Sequence, residues 1–150
     1  MRVNITVDNM PDYPTKEEIM RSPAPLHKSQ AIKDIYKWKR EIWYPVKRGT
    51  KEEKFNALTT LVDILNENYE KEVKFEYEPS LQSACYDTTN NTIYMDSSAS
   101  IISTMHEFAH ALKGPDEKIA CRWSVHLFAK TFPIAFTELE WDGHMLKRSV

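Results

Sequence analysis

Hydrophobic side chains recur along this chain with two different periods. Phe55, Leu58, Leu61, Val62, Ile64 and Leu65 form a stripe at helical spacing that runs to about Tyr69. Thr50 followed three residues later by Glu53 fits a capping box at its start, and Lys51, Glu52 and Lys54 mark the solvated face. An earlier helix is predicted from Ser29, as its cap, to about Trp43, with Ile32, Ile35, Tyr36 and Ile42 at helical intervals and Pro45 as its stop. The period then falls to two. Val73, Phe75 and Tyr77 alternate with Lys74, Glu76 and Glu78 ahead of Pro79, which predicts a half-buried strand. Ser83 to Tyr86 and Thr92 to Met95 flank the turn-prone Asp87-Thr88-Thr89-Asn90-Asn91, so these segments predict a hairpin.

Helical periodicity returns after Asp96-Ser97-Ser98, from about Ala99 to Lys113, and Gly114-Pro115 ends it. A last helix is predicted from Pro115 or Asp116 to Lys130, with Pro133 beyond it. At the other end, residues 2 to 8 alternate like a short strand. Pro11, Pro14, Pro23 and Pro25 then allow one helical turn around Glu17 to Met20 in an otherwise extended stretch. The order of elements predicts an α+β fold: N-terminal helices, a small mostly antiparallel sheet, then two helices joined by a tight turn. A single domain is expected over residues 1–150, with an extended arm or linker at 1–27, a core at 28–133 and a C-terminal tail at 134–150.

Size and charge narrow the function classes. A chain of 150 residues that is 41% hydrophobic suffices for one ordinary core. Twenty basic residues against 22 acidic ones give a net charge of -2, so the basic excess of a nucleic-acid binder is lacking and no nucleic-acid partner is expected. No apolar run has the length of a signal or a membrane span, which predicts a soluble, cytoplasmic protein with no membrane partner. Cys85 and Cys121 are too few for a disulfide scaffold and form no CxxC pair; both are expected to be small buried residues.

The candidate chemistry lies in His106-Glu107-Phe108-Ala109-His110. On a helix, positions four apart differ by about 40°, so both imidazoles leave one face and can share an ion. Zinc suits two imidazoles and a carboxylate, with a fourth position open. Glu107, beside the first ligand, is placed to act as general acid/base on a water activated by the metal. Ile101, Met105, Phe108 and Leu112 give the same helix an apolar face for the core. A third ligand has to come from beyond the turn, where Glu117 and Asp116 are the nearest carboxylates, and Asp116 also suits the N-cap of the last helix. Ala120, Cys121 and Ser124, all small, would let that helix approach closely. His126 falls about 180° from Glu117 on the same helix, away from the site.

HEFAHAL followed by EKIACRWSVHLFAKTFP resembles the ImmA/IrrE-type zinc metallopeptidases. In that family a histidine helix is followed by a helix bearing a glutamate, an alanine three residues later, an aromatic residue and a proline after the helix. Here these positions are Glu117, Ala120, Trp123 and Pro133, and the resemblance spans about residues 84 to 133. It implies a zincin-like fold, Zn2+ held by His106, His110 and Glu117, and Glu107 as general acid/base. It also implies that Thr92 to Met95 is the edge strand along which a protein or peptide substrate lies. The six residues between His110 and Glu117 are short for the family and near the metzincin spacing, where Asp116 would be the ligand. Gly114 stands one place late for that scheme, and no histidine stands at its ligand position.

The leading expectation is therefore a zinc metalloendopeptidase hydrolysing peptide bonds, with Tyr86 or Tyr94 as candidate oxyanion donors and a regulatory protein as a further partner. One alternative is a regulatory or protein-binding module that retains a structural or vestigial zinc site. The other is a metal-free interaction module presenting Trp38, Trp43 and Trp141 to a partner.

Overall fold

A computed structural model of the chain describes residues 16–21, 27–142 and 145–148. The strand expected at residues 2 to 8 lies outside them. The elements run α1 (Lys16–Arg21), α2 (Ser29–Trp38), a π-helical turn (Lys39–Trp43), α3 (Tyr44–Val46) and α4 (Lys51–Tyr69). The sheet strands β1 (Lys74–Tyr77), β2 (Cys85–Asp87) and β3 (Thr92–Met95) follow, then α5 (Ile101–Lys113), α6 (Glu117–Thr131) and α7 (Pro133–Glu138), and lastly β4 (Leu139–Asp142) and β5 (Met145–Arg148). The fold class is α+β.

Local chemistry accounts for the framework. Thr50 and Glu53 form the reciprocal capping box, with the Thr50 Oγ1 accepting from the Glu53 amide at 3.1 Å and the Glu53 Oε1 from the Thr50 amide at 3.0 Å. Leu58, Leu61, Val62 and Leu65 bury the stripe of α4, and Glu70 closes the helix in the left-handed conformation. The Asn66 side-chain amide then brackets the Val73 backbone, N–H and C=O each at 2.9 Å, and so leads the chain into β1.

The sheet is mixed rather than mostly antiparallel. Its order is β1-β3-β2, with β3 parallel to β1 and antiparallel to β2. The second strand of the hairpin, not the first, enters beside β1. Burial explains the choice: Thr92, Ile93 and Met95 are all buried and suit the central position, whereas every residue of β2 is half-buried. Asn91 secures the arrangement, its carbonyl accepting from the Lys74 amide at 2.9 Å and its side chain donating to the Glu72 carbonyl at 3.0 Å. The central position of β3 overturns the expectation of an edge strand there.

One further expectation is corrected. Pro45 does not stop its helix, which runs on to Val46: the turn at Lys39–Trp43 widens so that the Tyr44 amide bonds the Lys39 carbonyl, five residues back. The wider turn makes room where a proline lacks an amide and crowds the carbonyl four residues earlier. The helical turn expected around Glu17 to Met20 forms as α1 at 16–21, with Ile19 buried at 1% exposure and packed toward α6. Beyond Pro133 the chain forms α7 followed by the antiparallel pair β4 and β5; Pro133 opens α7 because the first turn of a helix needs no amide there.

One continuous set of buried side chains joins Ile19, Ile35 and Trp38 to α4, the sheet, α5 and α6. Trp38, 2% exposed, donates from Nε1 to the Thr60 hydroxyl at 2.8 Å and the Ala57 carbonyl at 3.0 Å, and Trp43 stacks on it. Trp38 is thus a core residue, which removes it from any partner surface. Behind α5, Trp123 of α6 contacts Tyr69, Phe108 and His27. These contacts set the separation of the two helices that carry the candidate site.

Candidate metal centre

Asp96 accepts from the Ser98 amide at 3.1 Å in a turn, Ser100 caps α5 by accepting from the Ser103 amide at 3.1 Å, and the helix begins at Ile101. Met105, Phe108 and Ala109 are fully buried, while Leu112 is half-buried. That packing fixes the rotation of α5. Gly114 ends it at φ 96° and ψ -167°, a conformation that suits glycine. Asp116 then caps α6 through Oδ1, accepting from the amides of Lys118 at 2.8 Å and Ile119 at 3.1 Å. Ala120, Cys121 and Ser124 are all buried, and the Ser124 hydroxyl folds back onto the Ala120 carbonyl at 2.9 Å. With no bulk between them, α5 and α6 bring Glu117 over the histidine pair.

His106, His110 and Glu117 converge, one donor atom from each lying within 4.8 Å of the others. His106 Nε2 is 3.3 Å from Glu117 Oε2, and His110 Nε2 contacts Glu117 Oε1 directly. The two imidazole centres are 4.9 Å apart and their planes nearly perpendicular, at 85°. His106 is 3% exposed; His110, Glu117 and Glu107 are half-buried.

The other ring nitrogens have partners as well. His110 Nδ1 donates to the Gly114 carbonyl at 2.9 Å, which leaves Nε2 turned toward Glu117. His106 Nδ1 faces the Cys121 sulfur at 3.8 Å. Burial works against a charged His110, yet the Glu117 hydrogen bond, the Glu107 charge and the Gly114 carbonyl outweigh it and push its pKa up to about 9. Burial likewise opposes the Glu117 carboxylate, but hydrogen bonds from His106 and His110 hold its pKa well below the usual carboxylate range. The Cys121 thiol is pushed well above its ordinary range by burial, then by the charges of Glu117, Glu107 and Asp116, so it stays protonated at neutral pH.

The donor set can be tested for its fit to a metal. Two imidazoles and a carboxylate are a combination that zinc accepts. A metal-ligating histidine commonly donates its second ring nitrogen to a carbonyl, and His110 does so here. The residues present therefore fit a divalent transition metal.

Other candidates fall elsewhere. Asp116 is committed to capping, as its sequence position suggested. His126 lies away from the site, buried, with Nε2 donating to the Ile19 carbonyl at 2.9 Å. His27 donates to the Trp123 carbonyl at 3.1 Å, and His144 lies outside the described residues. The Tyr86 hydroxyl bonds Asn91 at 2.6 Å and the Tyr94 hydroxyl accepts from Asn90 at 2.8 Å, so both are engaged at the β2–β3 turn. A shallow groove of about 420 Å3 between Leu81, Tyr86, Asp87 and Tyr94 includes none of the three candidate ligands. Cys121 is buried as expected, whereas Cys85 is only half-buried.

Two features of the site escaped the sequence: the Gly114 carbonyl as the partner of His110, and Cys121 as the partner of His106. The spacing carried a signal for each, since Gly114 follows His110 by four residues and Cys121 follows Glu117 by four. Set against known protein families, curated proteins and solved structures, the chain matches none. Among the described residues no helix is long and apolar enough to cross a membrane.

Proposed function

We propose that this protein is a zinc metallopeptidase of zincin-like fold that hydrolyses peptide bonds of a protein or peptide substrate. The observation that carries the reading is the convergence of His106, His110 and Glu117 from two helices, with His110 already oriented through Nδ1. The likeness of residues 84 to 133 to the ImmA/IrrE-type metallopeptidases supports it further, as does Glu107, which coordination does not require. We place the protein in the cytoplasm, in keeping with two cysteines that are not joined in a disulfide.

His106 and His110 would hold the ion through Nε2 and Glu117 through its carboxylate. Bound there, zinc would lower the pKa of a water molecule and polarise the scissile carbonyl. The Gly114 carbonyl keeps the His110 ring from turning, and the buried wall of Met105, Phe108 and Ala109 keeps water from the back of the site. Glu107 takes the proton from the attacking water on its carboxylate and delivers it to the departing amine nitrogen, which balances the hydrolysis.

The experiment is cleavage of a complex peptide mixture by zinc-loaded native protein and by Glu107→Gln, read by mass spectrometry. Loss of a general acid/base predicts a fall of about 100- to 10,000-fold in the variant, with zinc retained. Equal cleavage by both proteins would remove Glu107 from the mechanism, and no cleavage by either would favour a zinc-bearing binding module.

A further inference from the structure

We propose that Cys121 is the outer partner of His106, a positioning residue whose thiol follows the hydrogen on Nδ1 and thereby sets the zinc affinity of the site. This rests on the zinc reading above.

The two candidate histidines are supported unequally. His110 donates to a backbone carbonyl, a strong acceptor at 2.9 Å. His106 has the Cys121 sulfur at 3.8 Å, a weak one. Cys121 is 1% exposed and His106 3%, so bulk water does not reach the Nδ1 side of the ring to take the place of the sulfur. Placement is built in, because Cys121 stands one helical turn after Glu117 on α6 and the two meet the same imidazole, Glu117 at Nε2 and Cys121 at Nδ1.

A thiol suits this position because it both donates and accepts. Without metal, His106 Nε2 faces the Glu117 carboxylate and carries the ring hydrogen, so Nδ1 is an acceptor for the S–H. With an ion on Nε2 the ring hydrogen moves to Nδ1, and the sulfur becomes the acceptor. Cys121 can therefore satisfy either tautomer in a space closed to solvent. An apolar side chain there would leave Nδ1–H buried without a partner in the loaded state, and that cost falls on metal binding. Serine keeps the dual role.

The test is zinc affinity by chelator competition for the native chain, Cys121→Val, Cys121→Ala and Cys121→Ser, with thermal unfolding of each metal-free protein as a check on folding. Valine fills the space and alanine empties it, so agreement between them separates the lost hydrogen bond from packing. We expect both to bind zinc about 10- to 100-fold more weakly than native, and serine to stay within about threefold. The ring-nitrogen NMR signals of His106 should also show Nδ1 losing its hydrogen-bonded character in the valine and alanine proteins only. Native affinity in both apolar variants would overturn this inference alone, and so would a serine variant as weak as alanine. A native chain that takes up no zinc would overturn the metal reading and this inference with it.

Discussion

His110 Nδ1 donates to the carbonyl of Gly114 at 2.9 Å, across the end of the helix that carries it. The same glycine donates its amide to the His110 carbonyl at 3.0 Å, so one residue both caps α5 and orients a candidate ligand. Its φ of 96° is open to glycine and strained for any side chain, although nothing lies within 4 Å of where a Cβ would sit. Gly114→Ala is therefore expected to cost about 1–3 kcal/mol through the backbone alone. Relaxing that strain shifts the carbonyl, so zinc affinity should fall as well. Thermal unfolding with and without zinc measures both, and a variant whose zinc-induced stabilisation equals the native value would detach Gly114 from the site.

Adjacent carboxylates should behave differently. Asp116 Oδ1 caps α6, and Asp116→Ala is expected to lower stability by about 1 kcal/mol while leaving zinc stoichiometry unchanged. Glu117→Ala should abolish tight zinc binding, since it removes the only carboxylate among the converging donors. Denaturant unfolding and metal analysis of the two variants settle the assignment, and the reverse pattern would make Asp116 the third ligand.

Acid should weaken the metal-free fold through His27. Burial, then the charge of Lys130 and weaker effects of His126 and Lys113, push its pKa down to about 4 against the pull of the Trp123 carbonyl. Between the ordinary value of 6.5 and about 4, the unfolded chain takes up a proton that the folded chain refuses, so stability falls as pH falls through that window. His126, lowered mainly by burial, acts in the same direction. His110 has the opposite sign: its contribution is full below 6.5 and is lost as pH rises toward 9. The Glu117 contribution is lost only as pH falls below 4.5. Urea midpoints at pH 6.5 and about pH 5 therefore isolate His27 and His126, and His27→Gln should show a smaller decline than the native chain. Equal declines would place the acid sensitivity elsewhere.

What could be read from the sequence was what neighbours along the chain decide. The capping box of Thr50 and Glu53, the glycine stop at Gly114 and the Asp116 cap each depend on residues within a turn, and all form as expected. The convergence of His106, His110 and Glu117 was legible because two sit four apart on one helix and a short turn returns the third. Strand order was not, since pairing β3 rather than β2 with β1 goes with the burial of Thr92, Ile93 and Met95, which packing outside the hairpin decides. The docking of Ile19 under His126 spans 107 positions, beyond the reach of local pattern. Pro45 misled for a related reason: the π turn that accommodates it leaves no mark in residue spacing.

Whether the converging side chains hold zinc is read from the zinc content of protein purified without a histidine tag, measured by elemental analysis for the native chain, His110→Ala and Glu107→Gln. About one zinc per chain is expected in the native protein and in Glu107→Gln, and none retained in His110→Ala. A native chain that holds no zinc after reconstitution would rule out His106, His110 and Glu117 as a zinc site.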